Sequence, residues 1–337
     1  MKEQTARVLE ALRRAGDDAL SGEQLSTLLG VSRAQIWKHV ETLRGLGYRI
    51  DGAAGDGYRI VAAPDRLYAE EIQPRLHTRW LARRFEWLET TDSTNRAASE
   101  LARNGAPHGA TVVAEGQTAG RGRLGRSFFS PPGLNLYSST VLRPLLDTAR
   151  APTTILAAAV AVADTIARTV GDDGAVAIKW PNDVLLGGRK TSGILMEMGA
   201  EATQVRFLVL GIGVNLNVSR ETFPDEFRAL ATSLSSHLGR PVDRIAFAAQ
   251  LYDTLEDVLD LHADSGFEAV RPRFEARFHM KGQRVRVLDG VGNAHATALE
   301  GHAVDIDGDG ALWIERDDGI RERVVAGDVT IAKPEAP

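Results

Sequence analysis

Two Ser-x-x-Gln signals in quick succession, Ser21 to Gln24 and Ser32 to Gln35, constrain the start of this chain more than any other feature. In each, the serine oxygen can take the N–H of the third helical residue while the glutamine returns to the serine's own N–H, so two helix starts are fixed close together. Gly30 stops the first of these helices before the second begins. An earlier helix over Thr5–Arg14 follows from the spacing of Val8, Leu9 and Leu12 and ends at Gly16. Leu25, Leu28 and Leu29 are expected to form the buried face of the second helix, and Ile36, Val40 and Leu43 that of the third. Tyr48-Arg49-Ile50 and Tyr58-Arg59-Ile60-Val61 bracket a turn with Gly52, Gly55 and Gly57 and read as a two-stranded wing. Helix, helix, short turn, helix is the layout of a helix-turn-helix module.

On the third helix Arg33, Gln35, Lys38 and His39 fall away from the apolar stripe, near its N-terminal end, where a recognition helix meets base edges and phosphates. The alternative is a solvated polar face on a small protein-binding module. Charge alone does not decide between them. Residues 1–63 hold nine Lys/Arg against eight Asp/Glu, and the whole chain has net charge −5. DNA binding must therefore rest on locally placed cations and on dimerisation rather than on a basic field. Ala62-Ala63-Pro64 reads as a linker. The length of 337 residues fits two or three domains, and 43% hydrophobic residues provide for a sizeable core. There is no cysteine, so disulfides, thiol nucleophiles and Cys-ligated metals are excluded, which is compatible with a cytoplasmic location. The N-terminus lacks the apolar stretch of a signal peptide. No apolar run approaches membrane-spanning length, the longest being the Ala-rich Ile155–Val162.

From Leu67 onward strand and helix patterns alternate. Strands are expected at Phe85–Glu89, Thr111–Glu115, Asn135–Leu142, Ala175–Trp180 and Phe207–Gly211, with helices over Arg96–Asn104 and Thr154–Thr169. Thr91-Asp92-Ser93-Thr94-Asn95 sets small hydroxyl and amide groups at a strand-to-helix junction. They either cap the helix or present donors and acceptors to a polar ligand beside its free N–H groups. Gln117 leads into Gly120-Arg121-Gly122-Arg123-Leu124-Gly125-Arg126. The glycines formally match G-x-G-x-x-G, but Ser127-Phe128-Phe129-Ser130-Pro131-Pro132-Gly133 follows where a dinucleotide fingerprint needs a helix. A mobile loop whose Arg121, Arg123 and Arg126 gather around an anion is the better reading, and a solvated basic loop is its alternative.

About 60 residues further on, Lys179-Trp180-Pro181-Asn182-Asp183 ends an apolar run. A hairpin follows, with Val184–Leu186 and Ile194–Met198 flanking Gly187–Lys190. Gly-x4-Gly-Lys-Ser/Thr never occurs, so a nucleotide must be held by another geometry. Asn215 leaves a Gly-flanked strand end, Gly211-Ile212-Gly213-Val214. Asn182, Asp183 and Asn215 are either turn formers or groups for ribose, triphosphate or hydrated Mg²⁺. Fixed cations around an activated phosphate suit an enzyme that activates a carboxylic acid with a nucleotide.

Thr91–Asn95, Gln117–Arg126, Lys179–Asp183, Lys190–Glu197 and Gly211–Asn215 occur in an order and spacing that resembles the biotin protein ligase family. With the helix-turn-helix, the chain is similar to the bifunctional bacterial form of that family, ligase and biotin operon repressor. The resemblance runs from about residue 5 to about residue 332. It implies an α+β chain: a winged helix-turn-helix at 1–63, a mixed-sheet catalytic domain at 64–279 and an SH3-like β-barrel at 280–337. It implies an ATP-dependent ligase that forms biotinyl-5′-AMP from biotin and Mg-ATP. Biotin would then pass to a lysine of a biotin carboxyl carrier protein, and the same chain would repress operator DNA in response to biotin. By motif position Ser93, Thr94, Asn95 and Gln117 would meet the biotin ureido and neighbouring groups. Gly120, Arg121, Gly122 and Arg123 would form the loop that closes over biotin and the adenylate. Lys190 would sit at the biotin carboxylate and α-phosphate, with Arg123 as the second catalytic cation, and Gly193 would let backbone approach the ligand. Arg121, Lys179, Asn182 and Asn215 would serve the nucleotide. Phe128 and Phe129 stand where the family often has Trp. If the adenylate orders the arginine loop, pairing two central sheets becomes easier, so an adenylate-bound homodimer matching two half-sites is expected.

Phe247–Phe278 is expected to be mainly helical. From Gly282 short alternating strands follow at Val285/Val287, Val304/Ile306, Leu312/Ile314 and Val324/Val329/Ile331, with turns at Asp289-Gly290 and Asp317-Asp318-Gly319. Asp305–Gly310 imitates the start of a calcium loop, but Arg316 occupies the twelfth position and no helices flank it, so it reads as a hairpin turn. The histidines are scattered, without H-E-x-x-H, and no metal site is expected. Two other readings stand beside the ligase. One is a biotin-sensing transcription factor without catalysis, against which Lys190, Arg121 and Arg123 count. The other is a lipoate-type ligase or transferase, against which the Gly-Arg-Gly-Arg loop and three-part layout count.

Overall fold

In the computed structural model, residues 1–52, 56–143, 151–201, 204–288 and 299–331 are described. Both Ser-x-x-Gln signals form complete capping boxes. At the start of α2 (Gly22–Leu29), Ser21 Oγ accepts from Gln24 N at 3.1 Å and Gln24 Oε1 accepts from Ser21 N at 2.7 Å. Ser32 and Gln35 repeat this for α3 (Arg33–Gly45). Together with α1 (Glu3–Ala15), these helices bury Val8, Leu9, Leu12, Leu25, Ile36, Val40 and Leu43. Leu28 departs from expectation: it is 64% exposed. An eight-residue helix packed on two neighbours buries one narrow row, here centred on Leu25, and Leu28 falls outside it. The wing is an antiparallel pair, β1 (Arg49–Asp51) and β2 (Arg59–Ala62), while Gly55 of its turn lies outside the described residues. The guanidinium of Arg44 fastens wing to helix by donating to Ile50 O and Gly52 O.

Residues 1–66 form one compact unit and residues 67–337 a second. The second is built on a seven-stranded sheet. Its strands are β3 (Phe85–Thr91), β4 (Thr111–Gln117), β5 (Leu136–Leu142), β6 (Val176–Lys179), β7 (Asp183–Leu186), β8 (Arg189–Glu201) and β9 (Gln204–Val214), in spatial order β3-β4-β5-β9-β8-β7-β6. β3 and β4 are parallel, joined through helix α5 (Thr94–Arg103), and all other neighbours are antiparallel. Strand alternation gives the sheet two different faces. Val112, Val141, Phe207 and Val209 turn towards Ala98 and Ala102 of α5. Val113, Leu208, Leu210 and Ile212 turn to the opposite core. The helices α4 (Ala69–Ile72), α6 (Ala151–Val170), α8 (Leu234–Leu238), α9 (Arg244–Ser265) and α10 (Phe267–Glu275) contribute there, and the short α7 (Asp225–Arg228) lies in the connection between β9 and α8. The Ala-rich octet is the middle of a helix longer than it suggested. Pro152–Val170 would cross a membrane by length and composition, but most of it is buried against the sheet, α9 and α10.

The last strands, β10 (Arg284–Leu288), β11 (Leu299–Ile306), β12 (Leu312–Glu315), β13 (Arg321–Val324) and β14 (Asp328–Ile331), form an SH3-like, all-antiparallel sheet of order β13-β12-β11-β10-β14. The Asp-rich segment is the turn between β11 and β12. Asp307 Oδ1 accepts from the N–H groups of Asp309 and Ala311, both at 3.0 Å, and Oδ2 accepts from Arg323 at 2.5 Å. The turn expected at Asp289-Gly290 lies outside the described residues.

Candidate active site

A polar concavity opens on the face of the sheet that carries α5. Two rungs run across β5, β9 and β8: Tyr137, Gly213 and Gly193 in one, Ser139, Gly211 and Leu195 in the next. Glycine here makes room. A Cβ on Gly213 would stand 2.6 Å from the Phe128 ring, and one on Gly211 would stand 2.1 Å from Asn95 Oδ1. The bare strand therefore lets a ring and an amide settle on the sheet.

The junction at the start of α5 supplies the polar wall. Ser93 is buried, yet its hydroxyl makes no capping bond, which leaves it to line the concavity. Thr94 donates through N and Oγ1 to Gln117 Oε1 at 2.8 and 3.1 Å, and Gln117 Nε2 donates to Ser130 Oγ at 2.9 Å. Ser139 Oγ lies 2.6 Å from Asn95 Oδ1 and 2.8 Å from Thr94 Oγ1. Asn95 Nδ2 donates to Glu197 Oε2 at 2.8 Å. Tyr137 lies under this wall with its hydroxyl donating to Pro131 O at 3.0 Å, and burial pushes that phenol well above its ordinary range, so it stays neutral.

The arginine loop is drawn over this wall. Phe128 N donates to Gly120 O at 2.8 Å and Gly122 N to Arg126 O at 2.7 Å. Arg121 pairs with Glu197 at 2.9 Å, and Arg126 pairs with Asp328 of β14. Arg123 donates to Asn182 Oδ1 at 3.3 Å and to Gly327 O at 3.2 Å. Burial lowers the Arg123 pKa from its ordinary value, against the pull of Asp183 and Asp328, and Arg126 adds to the lowering. A partly desolvated cation with a second arginine nearby favours an anionic ligand. Lys190 on β8 approaches Asp183 to 2.6 Å as an ion pair outside hydrogen-bond alignment. Asn182 is held by exchange with Ile194, whose N–H it accepts at 2.9 Å through its carbonyl while its Nδ2 donates to Ile194 O at 2.8 Å.

Ser93, Thr94, Asn95, Gln117, Arg121, Gly122, Arg123, Asn182, Lys190 and Gly193 thus line one concavity. Gly120 lies beside it, where a Cβ would meet Phe128 O at 2.4 Å. Lys179 lines an adjoining groove with Asp183, Phe227, Leu230 and His279. Burial, and then Lys179, holds the His279 pKa below its ordinary value. Asn215 lines neither space: it is buried behind them, its Nδ2 donating to Thr232 O at 3.1 Å. Phe128 faces into the concavity, whereas Phe129 packs on Phe223 with ring centroids 6.0 Å apart. Sequence reasoning missed Tyr137, Ser139, His279 and Asp328, and gave Glu197 no role. The alternation Gly211-x-Gly213, read with Gly193, was the available signal for a ligand-facing strip.

In the first unit, Arg33 and Lys38 are exposed on α3. Gln35 gives its carbonyl oxygen to Ser32, and His39 Nδ1 bonds Thr5 Oγ1 at 3.0 Å, so these two also hold the module together. Trp37, unremarked in the sequence, is 51% exposed on the same helix.

Comparison with known proteins agrees with this arrangement. Residues 5–59 match a helix-turn-helix domain, residues 87–215 the biotin/lipoate A/B protein ligase family, and residues 282–331 the biotin protein ligase C-terminal domain. The chain is 36% identical over 326 residues to the bifunctional ligase/repressor BirA of Bacillus spizizenii, covering 96% of this chain and 97% of that one. It is 32% identical over 336 residues to the Escherichia coli protein of the same name, covering 99% and 100%. The structure of the Aquifex aeolicus biotin protein ligase in complex with biotin and ATP matches with a TM-score of 0.64 at 26% identity, covering 74% of this chain and all of that one. With a polar concavity under an arginine loop, a helix-turn-helix ahead of it and relatives matched along nearly their whole length, this chain belongs to the family of bifunctional biotin ligase/repressors.

Proposed function

We propose that the concavity on β5, β9 and β8 holds biotin, that the groove lined by Lys179, Asp183 and His279 holds the nucleotide, and that Lys190 and Arg123 act where the two meet. The observation that carries this assignment is that Lys190, Arg123 and Asn182 line both spaces. The ligase reaction has two steps. A biotin carboxylate oxygen attacks the α-phosphorus of ATP, and pyrophosphate leaves. The amine of a carrier-protein lysine then attacks the biotinyl carbonyl, AMP leaves and the nitrogen loses a proton. Both steps gather negative charge on phosphate oxygens, which cations fixed beforehand stabilise without reorganising at the moment of reaction. Lys190 and Arg123 are placed for this, and Arg121 and Gly122 cover the bound adenylate against water. No group of three His, Asp or Glu side chains suited to a metal occurs among the described residues, and Asp183 is already paired with Lys190. That fits Mg²⁺ arriving as part of the substrate, bound mainly to the triphosphate and water.

On the repressor side, Arg33 and Lys38 supply the exposed cations for operator DNA, and an adenylate-bound homodimer would present two recognition helices to two half-sites. The part boundaries 1–63, 64–279 and 280–337 and a cytoplasmic location belong to the same reading. The test is biotin-dependent exchange of labelled pyrophosphate into ATP, with lipoate as the control. Exchange is expected with biotin alone, and Lys190→Ala should slow it by about 10²–10³-fold. Equal exchange with lipoate, or a parental rate in Lys190→Ala, would overturn the assignment.

A further inference from the structure

Glu197 sits on β8 two residues beyond Leu195, so strand alternation turns it to the same face as the ligand-side rungs. Its two carboxylate oxygens go to different parts of the site. Oε2 accepts from Asn95 Nδ2 at 2.8 Å, and Oε1 accepts from Arg121 at 2.9 Å. Asn95 is nearly fully buried and its amide is almost used up: Oδ1 takes Ser139 Oγ, while Nδ2 serves Glu197 and, at 3.4 Å, Leu195 O. An amide has two donors and one oxygen acceptor, so this orientation is fixed by its partners. Gly211 beneath it leaves no room for a Cβ, which closes off the alternative of shifting Asn95 down onto a larger residue. A continuous polar chain then runs from Arg121 through Glu197, Asn95, Ser139, Thr94 and Gln117 to Ser130.

We propose that Glu197 is a positioning residue of the ligase site, a two-ended carboxylate that ties the arginine loop through Arg121 to the polar wall through Asn95. Asn95 is the relay in this device. The loop's position over biotin and the orientation of the wall that biotin meets are therefore set together. The inference rests on the biotin assignment of the concavity. It adds a group whose charge lies outside the reacting atoms and acts on how substrate is held.

Glu197→Gln is the informative change, because a carboxamide can accept from only one of the two donors and must turn its NH₂ towards the other. In pyrophosphate exchange, Glu197→Gln should raise the KM for biotin by about tenfold, one lost charge-assisted hydrogen bond, while kcat at saturating biotin stays within about threefold. Tryptic cleavage within Gly120–Arg126 of the ligand-free protein should quicken in the same variant, with an unchanged thermal unfolding midpoint showing that the chain is folded. Arg121→Gln should also raise the KM for biotin, beside any loss from its own cover of the adenylate, and the KM of the double variant should fall short of the product of the two single effects. Parental KM and parental cleavage in Glu197→Gln would overturn the proposal, as would defects that multiply in the double variant. If Lys190→Ala still slowed exchange by about 10²–10³-fold in that event, the biotin assignment would stand without the tie.

Discussion

Gly211 shows how much of the site rests on single atoms. Its missing Cβ is the space that Asn95 occupies, and a methyl group there would lie 2.1 Å from Asn95 Oδ1. Asn95 cannot yield, since its amide is bonded to Ser139 and Glu197. Gly211→Ala should therefore weaken biotin binding by about tenfold or more, in line with the usual cost of overpacking, when biotin is titrated calorimetrically. Unchanged affinity would mean that the wall reorganises freely. Arg123 gives a second prediction at this scale. It joins the loop to Asn182 and to the backbone of Gly327, so Arg123→Gly should let biotinyl-AMP escape. Equal retention of adenylate by variant and parent after gel filtration would contradict it. Features that depend on neighbours in the chain were legible: both capping boxes and the cationic loop follow from local spacing. Glu197 was not, because its role needs β8, α5 and the loop to meet, and Leu28 was misjudged because helical spacing says which residues share a face but not how wide the buried row is.

Between elements, a few buried carboxylates carry the joints. Glu115 on β4 and Arg244 at the start of α9 are both fully buried and 3.0 Å apart. Glu115 also accepts from Leu67 N at 2.8 Å and Trp87 Nε1 at 3.1 Å, so one side chain joins two strands, a helix and the segment entering the unit. Removing one partner leaves the other charged and buried, and Arg244→Ala should lower unfolding free energy by about 3–5 kcal/mol in urea titrations. Glu256 on α9 plays a similar part, gathering the N–H groups of Arg79, Trp80 and Leu81. Burial pushes its pKa up, but these three donors and the Arg79 side chain outweigh that and hold it below the ordinary 4.5. A group depressed in the folded state contributes stability above its unfolded value and loses it as pH falls through the folded one. Parental stability should therefore fall below about pH 4.5, and Glu256→Gln should flatten that part of the profile. An identical acid limb in both proteins would rule Glu256 out as the source. Strand and helix positions in this part were readable from periodicity, whereas the Glu115–Arg244 pair and the Glu256 bonds to Arg79, Trp80 and Leu81 join residues more than a hundred positions apart and left no local pattern.

At the scale of the whole chain, the two compact units divide the chemistry. Residues 67–337 contain the arginine loop, Lys190, both spaces around them and the C-terminal segment whose Gly327 and Asp328 hold Arg123 and Arg126. The helix-turn-helix has its own buried row and its own caps within residues 1–66. Leu67 begins the apolar cluster that runs through the sheet and the last strands. Deleting residues 1–66 should therefore leave biotin adenylation within a few-fold of the parent while abolishing operator binding. Deleting from residue 280 onward should instead damage adenylation, since it removes the partners of two loop arginines. The comparison is made by pyrophosphate exchange on both truncated proteins beside the full chain, with circular dichroism to show that each is folded. A folded 67–337 protein without exchange would mean that the first unit supplies something to the ligase site. A folded 1–279 protein with parental exchange would mean that the arginine loop closes without Gly327 and Asp328, and that the ties across the second unit stabilise the loop without serving its chemistry.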